Sequence, residues 1–464
     1  MNKKAIVFFS ILSLFISILT IPANAAAKAG GACSKAGITS VSFGKTYTCI
    51  KSGKKLVWNK GISTKVQVQF TEVGTTVDVD SCKLLDARIQ KQQPNNVGFP
   101  LQNDVIPVKG DVNVIVIPVD FSDRPGGQLP SEYLIDQTNK MNEWYKFFSG
   151  DKASLSFQIG KEWVRAPKAD SEYVVPKSVA NTAGVAVDVQ FKMAQDIVTA
   201  SKNQFDFKKS SVLFFYTPTV KSVDQDMGGR GVNLNTADGA KNFFFWGGGA
   251  YHFDDRNMKA SVKKEKMWAF WIHEMLHSQG LALHSPANGS STGLHADQYG
   301  TSLAIDSWEL FRLGWIENPN VACLDKSLGV NNKLILRPIE LGSKIARFAV
   351  IKLNSYEALV IESRRPTGYS KEWKSDQKGI LVYRIDVRND NDRSGESTGD
   401  TGNSPSFPKW GYLLSPDNKN MNNLTPYEIE RYILRVNQTI SYSKIEIKLL
   451  ASDSDQDLVQ VNNS

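Results

Sequence analysis

Residues 264–284 constrain this chain more than any other stretch: Lys-Glu-Lys-Met-Trp-Ala-Phe-Trp-Ile-His-Glu-Met-Leu-His-Ser-Gln-Gly-Leu-Ala-Leu-His. From Met267 to Ile272 the run is apolar on every side, the pattern of a helix enclosed by the protein. The next residues are His273, Glu274 and His277, spaced H-E-x-x-H. An enclosed helix does not leave three such side chains unpaired, since each unsatisfied buried polar group costs roughly 2–7 kcal/mol. Positions i and i+4 share one helix face, so two imidazoles can grip one metal ion while Glu274, about 100° around, reaches a water on it. The chemistry implied is hydrolysis, with zinc as the cofactor and Glu274 as general base. The bland alternative is a pair of core histidines that merely hydrogen-bond.

Gly280 offers a helix stop, and His284 follows as a third imidazole. Four of the five histidines, at 273, 277, 284 and 295, fall in this one segment. His284 is expected as the third zinc ligand, because no carboxylate or other histidine lies between Gly280 and it. His295 and Asp297 compete if the loop through Pro286-Ala287-Asn288-Gly289 folds back. Tyr251 and Tyr299 are candidate oxyanion donors, with packing or rim positions as the plainer reading.

At 464 residues the chain is expected to hold two or three domains. The net charge is +8, but lysines and arginines are scattered and no run interleaves them with aromatics, which argues against a nucleic-acid groove. Residues 1–25 read as a targeting segment: Lys3 and Lys4, an apolar run from Ala5 to Ile21, then Ala23-Asn24-Ala25 as a cleavage site. No later stretch is long and apolar enough to span a bilayer, so a soluble, exported protein is expected, extracellular or associated with the cell envelope. In that oxidising setting Cys33, Cys49, Cys82 and Cys323 form an even set with three possible pairings. Cys33 with Cys49 is the local choice, leaving Cys82 for Cys323; an unpaired Cys82 could instead ligate the metal and hold a precursor inactive.

Residues 26–65 read as a small disulfide-stapled module, with strands at 45–50 and 56–58. Residues 66–105 are polar and turn-rich, a linker or pro-segment. Residues 106–330 form the catalytic α/β (α+β) domain. Its strands lie at 112–120, 155–158, 211–216 and 243–246, and its helices at 131–149 and about 184–203. The run before Gly247 is a candidate edge strand for peptide addition. Residues 331–464 form a β-rich, sandwich-like region with runs at 333–336, 348–351, 358–361 and 380–383, and a closing pair at 445–449 and 457–461 as a sandwich edge. Residues 387–406 are rich in Asn, Asp, Ser and Gly, a solvated loop before a calcium loop because no ligand spacing is recognisable.

Several of these segments together resemble the immune inhibitor A family of secreted zinc metallopeptidases. They are Val112-Asn-Val-Ile-Val-Ile-Pro-Val-Asp-Phe-Ser-Asp123, the helix end Trp144-Tyr145 to Ser149-Gly150 with Leu155-Ser156-Phe157, and His273 to Leu281. Asp306-Ser307-Trp308 with Leu313-Gly314-Trp315, Tyr356 to Glu362, and Gly379 to Asp386 follow in the family's order. The resemblance implies a metzincin-like catalytic domain, one catalytic zinc, extracellular proteolysis and calcium as a structural ion. After Gly280 the family continues Leu-Pro-Asp where this chain has Leu281-Ala282-Leu283-His284, and no methionine turn follows, since none occurs between Met275 and Met421.

The reading is an exported zinc-dependent endopeptidase acting on extracellular proteins or peptides. Its rivals are a non-catalytic binding or adhesion protein with a decayed or structural metal site, and a zinc amidase acting on cell-wall peptides. Retention of Glu274 favours an enzyme, because a structural site has no use for a carboxylate aimed at water. Nothing in the sequence specifies an oligomeric state.

Overall fold

The computed structural model describes residues 27–42, 45–63, 69–88, 95–102, 105–173, 185–218, 227–247, 267–281, 292–298, 300–388, 411–416 and 429–463. The targeting segment and the 389–406 part of the polar loop lie outside them. The chain divides into two units, Met1–Gln69 and Phe70–Ser464.

In the first unit, strands β1 (Thr39–Ser42), β2 (Lys45–Ser52) and β3 (Lys55–Trp58) form an antiparallel sheet in that order, and β4 (Ile62–Ser63) pairs with β2. The two-residue turn Gly53-Lys54 joins β2 to β3, with Gly53 at φ 62°, a conformation glycine adopts without steric cost. Cys33 is bonded to Cys49, the local pairing expected.

The second unit starts from β5 (Gly110–Asp120), whose β-branched run is buried on both faces. Side chains alternate across a strand, and here they feed two cores. Val112, Val114 and Val116 join one, and Ile115, Ile117 and Val119 the other, with Met193, Ala194, Ile197 and Val198 of helix α2 (Val185–Ala200). Helix α1 (Ser131–Ser149) joins the first core through Leu134, Met141, Trp144, Tyr145 and Phe148. Gly150 ends it at φ 64°, donating its N–H to the Lys146 carbonyl.

Strands β6 (Ala153–Ile159), β7 (Val164–Arg165), β8 (Val212–Tyr216), β9 (Met227–Thr236) and β10 (Gly239–Gly247) complete the sheet. Its order is β6-β5-β8-β10-β9, with β7 beside β5. All pairings are parallel except β9 with β10, which is antiparallel. The run before Gly247 is therefore not an edge: β10 has β8 on one side and β9 on the other. Among the described residues the outermost strand on that side is β9, which composition alone conceals because Met-Gly-Gly-Arg-Gly lacks strand-forming side chains.

Helix α3 (Met267–Ser278) carries the H-E-x-x-H residues and is buried along its whole length. Trp271 stacks on Phe214 of β8, ring centroids 4.3 Å apart and planes 10° from parallel, which locks the helix to the sheet. A short helix α4 (Ser307–Arg312) follows.

The remaining strands make two further sheets. One has the order β11 (Val321–Asp325), β13 (Phe348–Lys352), β14 (Glu357–Arg364), β15 (Gly379–Asp386), β16 (Gly411–Leu413). The other is β12 (Asn331–Leu336), β19 (Asp457–Asn463), β18 (Ile445–Ser452), β17 (Thr439–Tyr442). Their inner faces share a core of Leu334, Leu336, Ile351, Leu359, Ile361, Ile447, Leu449 and Val459, as in a sandwich. The closing pair is interior and not an edge, since β12 covers β19 and β17 covers β18.

The opposite face of the five-stranded sheet, through Phe348, Val350, Val360, Leu381 and Tyr383, joins the core that holds α1, α3 and α4. Residue 330 therefore marks no break in the packing. Cys82, Leu84, Val97 and Phe99, from the segment read as linker or pro-segment, belong to the same core, and Cys82 is bonded to Cys323 of β11. That bond removes Cys82 as an inhibitory thiolate. The fold is a mixed α/β arrangement with a β-rich C-terminal part. No helix among the described residues is long and apolar enough to cross a membrane.

Candidate metal centre

Helix α3 places His273 and His277 one turn apart, with Nε2 facing Nε2 at 3.2 Å and ring centroids at 4.7 Å. Both rings are buried. His273 Nδ1 lies 3.0 Å from the Leu294 carbonyl. A carbonyl only accepts, so this contact puts the proton on Nδ1 and leaves the Nε2 lone pair toward His277. Glu274, at 8% exposure against 1% and 3% for the two histidines, is the most open of the three.

The turn after the helix is built by residues distant in sequence. Gly280, at φ 97°, lets the chain reverse, and Leu281 N–H returns to the Leu276 carbonyl. Asn95 Nδ2 donates to the carbonyls of His277 at 2.8 Å and Leu281 at 2.7 Å. Arg312 spans the Gly98 carbonyl, Asn96 Oδ1 and the Gly280 carbonyl. Burial lowers its pKa to about 10, against the pull of Glu309 and Asp306. Tyr145 donates to Gln279 Oε1 at 3.0 Å, and Gln279 donates to the Pro107 carbonyl.

A third imidazole stands against the pair. His295 Nε2 lies 3.1 Å from His277 Nδ1, with ring centroids 4.7 Å from His277 and 5.3 Å from His273. His295 is buried, and its Nδ1 meets Glu309 Oε1 of α4. Asp297 is half-buried and its backbone closes turns with Gly293 and Gly300. His284, Tyr251 and Tyr299 lie outside the described residues, so the expected third ligand has no described position.

The donor set suits zinc. Ligand atoms about 2.1 Å from a tetrahedral ion stand about 3.4 Å apart, close to the 3.2 Å between the two Nε2 atoms. His277, however, presents Nε2 to His273 and Nδ1 to His295. The three rings therefore do not converge on one point as they stand, and no set of three His, Cys, Asp or Glu closes on an ion among the described residues.

Behind His295 lies a buried polar network that sequence reasoning did not single out. Glu309 and Asp306 of α4 are fully enclosed, and burial holds both carboxyls well above their usual range; for Asp306 the neighbouring charges of Glu309 and Glu362 add to the effect. Arg364 of β14, equally enclosed, pairs with Glu340 at 2.7 Å and Glu362 at 3.0 Å. The only trace in sequence is a glutamate set among Trp308, Leu310 and Phe311, a composition that buries it.

No protein family matches this chain, and no curated protein does. Among solved structures, a catalytically inactive OgpA from Akkermansia muciniphila, in complex with an O-glycopeptide substrate, is 12% identical. The match covers 79% of this chain and 96% of that one, with a TM-score of 0.23, too low to carry an argument about fold or function.

Proposed function

We propose that the protein is an exported zinc-dependent endopeptidase, with zinc held by His273 and His277 of α3 and by His295 as the third imidazole. The observation that carries the reading is the gathering of these three buried rings beside Glu274, with Nε2 of His273 and His277 facing each other. Bound there, zinc supplies a Lewis acid and a water of lowered pKa. Glu274 takes a proton from the attacking water on its carboxylate and passes it to the leaving amine. The Leu294 carbonyl orients His273 through Nδ1. The peptide adds as a strand to β9, which is outermost on its side of the sheet among the described residues, in place of the interior β10. Two disulfides suit the oxidising compartment that export implies. A metzincin-like domain and a structural calcium ion remain part of the proposal on the strength of the sequence resemblance.

Glu274→Gln should retain stoichiometric zinc, measured by plasma mass spectrometry on dialysed protein, and lose hydrolysis of unfolded casein. Activity near wild type, or loss of the metal, refutes the role given to Glu274. His295→Ala should weaken zinc binding at least tenfold while His284→Ala leaves it nearly intact; the reverse ranking restores His284 as third ligand. Turnover of peptidoglycan instead of casein would select the amidase, and chelator-insensitive binding without turnover the adhesion protein.

A further inference from the structure

We propose that Glu309 is a positioning residue that holds His295, through Nδ1, with Nε2 turned toward the histidine pair, and that the C-terminal sheet holds Glu309 in turn. The inference rests on the zinc reading above. Glu309 Oε1 is the partner of His295 Nδ1, and both residues are 1% exposed. The ionised carboxylate only accepts, so in that state the contact fixes the Nδ1–H tautomer and frees the Nε2 lone pair.

What makes this more than a chance contact is how firmly α4 is pinned. A helix begins with N–H groups that have no partner within it. In α4 three successive ones are taken by buried side chains: Ser307 N–H by Glu362 Oε2 at 2.8 Å, Trp308 N–H by the Tyr383 hydroxyl oxygen at 3.0 Å, and Glu309 N–H by the capping Asp306 Oδ1 at 2.9 Å. Glu362 and Tyr383 belong to β14 and β15. The loop carrying His295 is gripped from the same sheet, because Arg364 donates to the Thr292 carbonyl at 2.6 Å and to Ser302 Oγ at 2.9 Å. Gly293 fits only as glycine: an added Cβ would stand 2.9 Å from the Ala304 carbonyl oxygen. Both the imidazole and the carboxylate that orients it are thus set by β14 and β15.

The test compares Glu309→Gln, which keeps an acceptor for Nδ1–H, with Glu309→Leu, which keeps bulk without one. Zinc dissociation constants would be read by competition with a chromophoric chelator on folded protein, alongside His273→Ala and His277→Ala. The expected result is 10- to 100-fold weaker binding for Glu309→Leu and less than about fivefold for Glu309→Gln, because the amide oxygen still accepts. Wild-type affinity in Glu309→Leu, with both histidine variants unable to bind, overturns the role of Glu309 alone. Retained binding in the histidine variants overturns the zinc reading itself. If Glu309→Leu does not fold, 15N chemical shifts of the wild-type imidazoles decide. A His295 protonated at Nδ1 supports the proposal, and one protonated at Nε2 overturns it.

Discussion

Asn95 offers the sharpest test of how the metal helix is terminated. Its carboxamide is buried and donates both Nδ2 hydrogens, to the carbonyls of His277 and Leu281. Asn95→Asp keeps the shape and removes both donors. An orphaned buried carbonyl costs about 1–3 kcal/mol; His277 O retains the Gly280 N–H at 3.1 Å and Leu281 O keeps His277 Nδ1 at 3.5 Å, so the lower half of that range applies to each. Together the loss is about 2–4 kcal/mol at neutral pH, before any penalty for setting a carboxylate against two carbonyl oxygens. Arg88 does not relieve it, because its guanidinium is engaged by Asp86 at 2.8 and 3.1 Å. The introduced acid is favoured in its protonated form by folding, since protonation returns one donor. Its folded pKa is therefore raised above the unfolded value of about 3.9, and the destabilisation shrinks as pH falls toward that value and grows as pH rises through the folded one. Urea unfolding of variant and wild type at pH 4.5 and pH 7.5 measures the gap. A gap under about 0.5 kcal/mol at pH 7.5, or one that does not change with pH, refutes the capping role.

Replacing Cys82 and Cys323 together by Ala removes a crosslink spanning 241 residues, which loop-closure entropy values at about 5 kcal/mol. Denaturant unfolding should show most of that loss together with weakened zinc retention, since Asn95, and Asn96 and Gly98 through Arg312, brace the turn after α3; a loss under about 1 kcal/mol refutes the argument. Asp120 is held below its usual carboxylate range chiefly by its hydrogen bond from Arg165. Arg165 is 55% exposed, so solvent screening limits the effect. Arg165→Gln should lower stability slightly at neutral pH. The difference is fully present above the unfolded value of about 3.9 and closes as pH falls through the lowered folded value; a difference that persists at pH 2.5 by thermal unfolding refutes the pairing.

The sequence by itself determined what depends on local order. The apolar run of α3 with its two histidines and glutamate, the β-branched β5, the Gly150 stop and the local Cys33–Cys49 pairing were legible, because period and spacing are properties of neighbours along the chain, while the union of Cys82 with Cys323 was one of several arrangements open to the sequence. Tertiary structure decided what depends on distance through space. Strand β9 became outermost on one side of its sheet, among the described residues, although its glycines hide it from a propensity reading; β19 became interior because β12, more than a hundred residues upstream, pairs with it, and β18 because β17 does. His295 reached the histidine pair only through a loop return that no helical spacing encodes. Glu309, Glu362 and Arg364 acquired their roles from burial beside one another. Asn95 capped a helix that begins more than 170 residues later. In each case the partner is far along the chain, and nothing in its own neighbourhood marks the residue, because enclosure by the completed core creates the demand it meets.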